Sequence, residues 1–200
     1  MEVSFDGNDL TSCRCHWCHC SCNHKLDEGR MKSFSQHLVE FDNPQIYCDM
    51  DGVVADFLKF TRNILGTKFK DRFWEDIPED TFAQLDKMPD ADVLWGYIKQ
   101  FDPIMLTAAP RESRGLIAKR APEDKIRWMK KNFRLPRSRM RVVKRADKKK
   151  FAKDGRDKRP NVLIDDHEGN IREWEAAGGI GILHTDASST INDLKKVGFP

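Results

Sequence analysis

The chain has no apolar window long enough to span a bilayer, and its amino terminus has no apolar stretch of the secretory kind. A membrane protein is therefore excluded as a reading, and a cytoplasmic protein is expected. No internal repeat is present, which removes solenoids and propellers. Bulk charge is also missing, since Lys+Arg 35 against Asp+Glu 32 leave a net charge of only +3. Cysteine is scarce outside one segment: five of the six lie between Thr11 and His24. A disulfide framework does not suit a reducing cytoplasm.

A chain of 200 residues buries roughly 70% of its unfolded surface, enough for one core with an insertion. The chemistry concentrates where apolar runs end. Ile46-Tyr47-Cys48 leads into Asp49-Met50-Asp51-Gly52. The run reads as a buried strand, and Gly52 lets the chain turn at the carboxyl edge of a sheet, where α/β proteins bind ligands. Residues i and i+2 of an extended segment project to the same side, so Asp49 and Asp51 face one small volume. Two anions so close repel unless a cation neutralises them, and oxygen-only ligands suit Mg²⁺. An isolated Asp-x-Asp-Gly also fits a turn whose aspartate merely caps a helix.

Other edges bear on that choice. Pro103-Ile104-Met105-Leu106-Thr107-Ala108 is an apolar run ending in a hydroxyl, and Asn161-Val162-Leu163-Ile164-Asp165-Asp166 is one ending in adjacent acids. Between them lies a basic stretch including Lys148-Lys149-Lys150, which by itself reads as a solvated charge run. Glu168 to Ala177 reads as a helix ended by Gly178-Gly179, Gly181 to His184 as a short strand, and Ser189 to Val197 as a helix started by Ser188 or Ser189. Strands alternating with helices imply a mostly parallel sheet.

The order acid pair, hydroxyl, lysine, acid pair resembles the haloacid dehalogenase-like (HAD) phosphohydrolases, and most of all the 5'(3')-deoxyribonucleotidase family with its bacterial and phage relatives. The resemblance runs from about Gln45 to Gly198. It is carried by Asp-Met-Asp-Gly-Val-Val-Ala-Asp-Phe at 49 to 57, Phe73-Trp74, Glu123-Asp124-Lys125-Ile126-Arg127-Trp128, and Leu163-Ile164-Asp165-Asp166.

The resemblance implies a Rossmann-like three-layer α/β fold, with a core from residues 31–55 and 102–200 and a small helical cap from 56–101. It implies Mg²⁺-dependent hydrolysis of a nucleoside monophosphate through an aspartyl-phosphate, with Asp49 as nucleophile and Asp51 as proton carrier. Mg²⁺ would be held by Asp49, the Asp51 carbonyl and Asp166, with Asp165 as ligand or orienting partner. Thr107, Ala108, Lys125 and Lys148 would address the phosphate. Lys148 is favoured over Lys149 and Lys150, although an insertion from Phe151 to Pro160 separates it from Asp165. Two positions depart from the family pattern: Ala108 replaces a serine, and His167 replaces an arginine and either touches phosphate or caps a helix.

The segment 56–101 is rich in aromatic residues. Phe57, Phe73 and Trp74 resemble the family's wall for a nucleobase, which stacking recognises through its π face. Phe60, Trp95 and Phe101 read as core of the cap itself. Three function classes stand: a nucleotidase, a phosphatase of polynucleotide ends, and a silent nucleotide-binding module. The first is the reading adopted; the second draws on the basic stretch 137–159, which suits either steering of a nucleotide or binding of a polynucleotide backbone, while the aromatic-filled cap argues against it. Pairing as a homodimer is left open by the sequence.

Residues 1–30 hold Cys13, Cys15, Cys18, Cys20 and Cys22 with His16, His19 and His24. Such soft ligands suit Zn²⁺, yet only Cys15 and Cys18 form a C-x-x-C and no second pair stands a loop away. Three readings follow: a Zn module, adventitious metal binding, or a disordered or non-native extension upstream of a natural start at Met31.

Overall fold

The computed structural model describes residues 44–153 and 159–200. The Cys/His-rich segment, the expected start at Met31 and part of the insertion before Pro160 lie outside the described residues.

Five parallel strands form one sheet in the order β3-β2-β1-β4-β5. They are β1 Ile46–Cys48, β2 Ile104–Ala108, β3 Met140–Val143, β4 Val162–Asp165 and β5 Ile180–Leu183. The helices are α1 Phe57–Leu65, α2 Thr81–Gln84, α3 Ala91–Ile98, α4 Leu116–Phe133, α5 Glu168–Ala176 and α6 Ala187–Lys196.

Alternation along the strands builds three layers. Ile46, Cys48, Met105, Val162 and Ile164 point into one core with residues of α3, α4 and α6. Tyr47, Ile104, Leu106 and Leu163 point the other way, onto Ile171 and Trp174 of α5. Strands buried on both faces read as continuous apolar runs, and this is why β1, β2 and β4 are visible in the sequence. The edge strand β3 is not, because Arg141 interrupts it. The last helix begins two residues earlier than expected: Asp186, not a serine, accepts the Ser189 N–H at 2.9 Å as its cap.

Trp95 and Phe101, expected to fill a core within 56–101, pack on Phe133 and Phe199 outside that segment. Phe60 packs against the main core as well.

The basic stretch is divided by the sheet. Arg137, Arg139 and Arg141 precede or begin β3 and donate to the carbonyls of Met140, Asp102 and Ser138 respectively. Arg145 and Lys148 follow β3, at the opposite end of the strand. Among the described residues no helix is long and apolar enough to cross a membrane.

Candidate active site

β1 is flanked by β2 on one side and β4 on the other, so chain direction switches sides at its carboxyl end. Such a switch opens a crevice between the loops leaving neighbouring strands. Asp49 and Asp51 leave β1 here, and Gly52, at φ 78°, makes the turn that a side chain would resist. Asp56 is the third acid of that segment and takes no part in the crevice. Its Oδ1 accepts the Lys59 N–H at 2.9 Å and caps α1.

Each of the two leading aspartates has its own buried lysine. Lys148 Nζ lies 2.9 Å from Asp49 Oδ2 and 2.7 Å from Asp165 Oδ2. Burial alone would lower the pKa of Lys148, but Asp49 and Asp165 outweigh it and raise the value, so the side chain stays a cation. Lys125 Nζ, on α4, pairs with Asp51 Oδ2, donates to Thr107 Oγ1 at 2.9 Å and sits 4.4 Å from the Phe82 ring centroid. Asp51 is held above the usual carboxylate range by burial, which outweighs Lys125.

Asp165 is fully engaged. Asn170 Nδ2 lies 2.9 Å from both its oxygens, the His167 N–H donates to Oδ1 at 2.9 Å, and Lys148 donates to Oδ2. Its carboxylate orients Lys148 rather than facing solvent. Asp166 is exposed and has no hydrogen-bond partner among the described residues. Partial burial and the charges of Asp49, Asp165 and Asp51 push it up to about 7.

A hard divalent cation fits here. Oxygens of Asp49, Asp165 and Asp166 lie within 4.8 Å of one another, and Asp49 Oδ1 is buried with no hydrogen-bond partner. The raised Asp166 marks negative charge that the surrounding protein does not neutralise.

A cavity of about 390 Å³ opens over these groups. Asp49, Asp51, Lys148 and Asp166 form its polar floor with Ala108 beside them, and Phe57, Trp74 and Phe82 form an apolar wall. Phe57 and Phe82 stack at 5.8 Å with planes 13° apart, and Trp74 stands 5.9 Å from Phe57. His167 borders the cavity and also caps α5, its Nδ1 accepting the Gly169 N–H at 3.0 Å.

Three expected residues stand elsewhere. Thr107 and Lys125 are fully buried and do not border the cavity. They lie behind Asp51 as its support, because α4 directs Lys125 into the core side of the sheet. Phe73 does not line the cavity either, and Arg72 lies over its ring at 4.8 Å. The segment Asp71–Glu75 is a 3₁₀ turn, whose successive side chains diverge by about 120°, so Trp74 and Phe73 cannot share a wall.

Sequence reasoning missed Asp71, Arg111, Arg114, Arg145 and Asn170 around the site. The two loop arginines have no periodicity to flag them, and Arg145 was counted within a charge run. Their place just after β2 and β3 was the usable signal, since ligands gather at that edge.

No family model matches the chain, and no curated protein matches it. Among solved structures it is similar to a putative beta-phosphoglucomutase from Thermotoga maritima, at 14% identity and TM-score 0.41 over 78% of this chain and 100% of that one. It is similar to a hydrolase from Pseudomonas syringae at 14% identity and TM-score 0.41, again over 78% and 100%. A HAD hydrolase, family IA, variant 3 from Entamoeba histolytica matches at 10% identity and TM-score 0.29, over 78% of this chain and 90% of that one. At these identities the chemistry of the site has to be read from its own residues.

Proposed function

We propose that the chain is a Mg²⁺-dependent phosphomonoesterase acting on (deoxy)nucleoside monophosphates. The observation that carries the reading is the pair Asp49 and Asp51, each against its own buried lysine, on the floor of an aromatic-walled cavity.

An Asp49 oxygen attacks phosphorus, and the bond from phosphorus to the nucleoside oxygen breaks. Asp51, whose raised pKa suits it to carry a proton, gives that proton to the leaving oxygen. Asp51 then takes a proton from water, the water oxygen attacks phosphorus, and the bond from phosphorus to Asp49 breaks to release phosphate. Lys148 holds Asp49 in place and offsets its charge, while Asp165 and Asn170 fix Lys148. Lys125 and Thr107 fix Asp51 from behind. Asp49, the Asp51 carbonyl and Asp166 would hold Mg²⁺, which when bound neutralises phosphate charge. Phe57, Trp74 and Phe82 exclude water and offer stacking surface to a base.

A phosphate-release assay over nucleoside monophosphates, sugar phosphates and 5'-phosphorylated oligonucleotides tests this. The expectation is turnover of mononucleotides that stops with EDTA and returns with Mg²⁺. A clear preference for oligonucleotide ends would instead favour the polynucleotide reading, for which Arg111, Arg114 and Arg145 at the cavity supply cations.

A further inference from the structure

Asp71 is out of place in a cavity meant for an anionic substrate. It lines the wall, yet it is far from the catalytic acids in sequence and bears no relation to the cation site. Its two oxygens are used separately. Oδ1 accepts the Trp74 indole N–H at 3.0 Å, and Oδ2 accepts from Arg114 at 2.5 Å, across 43 positions of chain. Arg114 follows β2, whereas Asp71 and Trp74 share the 3₁₀ turn after α1. The indole hydrogen bond, together with the charge and hydrogen bond of Arg114, lowers the pKa of Asp71, so the carboxylate stays ionised and accepting.

The Asp71 side chain is 75% exposed, and exposed ion pairs add little to stability. Fold maintenance therefore does not explain the arrangement. Orientation does. Trp74 is flanked by Phe57 at 5.9 Å and Phe69 at 5.1 Å. Apolar contact is non-directional and would accept the indole turned over, whereas the N–H donates in one direction only. Arg114 in turn stops Asp71 from swinging into the cavity, where a bare carboxylate would repel a phosphate ester.

We propose that Asp71, clasped by Arg114, is a positioning residue that sets the Trp74 ring plane and so confers preference for substrates carrying a base. The inference rests on the nucleotide reading above and adds a residue that acts only through Trp74. It makes the preference for a nucleoside monophosphate over ribose 5-phosphate a property of the Asp71–Trp74 hydrogen bond.

The test is the ratio of kcat/KM for a deoxynucleoside 5'-monophosphate to that for ribose 5-phosphate, in wild type, Asp71→Ala, Trp74→Phe and the double variant, each with its melting temperature. Asp71→Ala should lower the ratio by roughly five-fold or more, the low end for losing one base–aromatic stack, chiefly through KM for the nucleotide. In the Trp74→Phe background, which keeps a ring but no N–H, removing Asp71 should change the ratio no further. Additive losses, or an equal loss on both substrates, would overturn the inference. Absence of phosphate release from either substrate by the wild type would instead defeat the nucleotidase reading itself.

Discussion

A Cβ at position 52 would stand 2.0 Å from Asp166 Oδ2, so Gly52 and Asp166 share a space that only glycine leaves open. The turn after β1, which carries Asp51, is thereby packed close against Asp166, the proposed cation ligand after β4.

Replacing Gly52 by alanine should therefore do two things. The positive φ costs about 1–2 kcal/mol for a residue with a side chain. Displacing Asp166 should also weaken Mg²⁺ binding by about ten- to a hundred-fold, as for other losses of ligand positioning. Calorimetric titration with Mg²⁺ checks this, and unchanged affinity would contradict the shared-space account.

Asp49→Asn should reduce phosphate release by at least about a thousand-fold. Lys148 keeps Asp165 as a partner in that variant, so the melting temperature should stay close to wild type. Retained turnover would remove Asp49 as the nucleophile.

Proton and cation should compete at Asp166. Its folded pKa, raised to about 7 from 3.8, means the metal-free protein loses this stabilisation progressively as pH rises from 3.8 and has lost it all above about 7. A bound cation reverses that loss. Mg²⁺ should accordingly raise the melting temperature more at about pH 7.5 than at about pH 5.5. An equal shift at both pH values would speak against Asp166 as a ligand.

His184 should produce an opposite trend. It is buried after β5, with Nδ1 2.8 Å from Thr190 Oγ1 and Nε2 without a hydrogen-bond partner. Burial lowers its pKa below the ordinary 6.5, more than Asp90 and Asp186 raise it. The unfolded chain then takes the proton first, so this contribution to stability is lost as pH falls below 6.5. On going from about pH 7.5 to about pH 5.5, the denaturant midpoint of His184→Asn should therefore fall less, or rise more, than that of wild type, and an identical change in both would contradict the buried neutral imidazole.

The sequence made strand ends legible because each central strand is a short apolar run that stops at a polar residue: Asp49, Thr107 or Asp165. Asp49, Asp51, Asp165 and Asp166 could be placed at one edge on that basis alone. Motif order singles out Lys148 despite the intervening insertion, and the structure places its Nζ 2.9 Å from Asp49 Oδ2. The structure gives the reason the insertion does no harm: Lys153 bridges Pro160, and the Asn161 N–H donates to Ala152 O at 2.8 Å, so its ends meet. Depth was not legible. Thr107 and Lys125 were expected to touch phosphate, but whether a side chain faces the cavity or stands behind its floor depends on how α4 seats against the sheet. Phe73 and Trp74 were indistinguishable as neighbours in sequence, and only the 3₁₀ geometry separates them.

The placing of β1 has a consequence for synthesis of the chain. Gln45 N, entering β1, donates to Asn161 Oδ1 116 positions later, at 3.3 Å. An emerging polypeptide that has not yet released β4 has Asp49, the proposed nucleophile, but lacks one of the two strands that flank β1 and the acids at its end. Long-range pairing of this kind forms late. On the proposed function, a nascent or carboxy-terminally shortened chain would thus release no phosphate, and the appearance of turnover during translation would time the docking of β4.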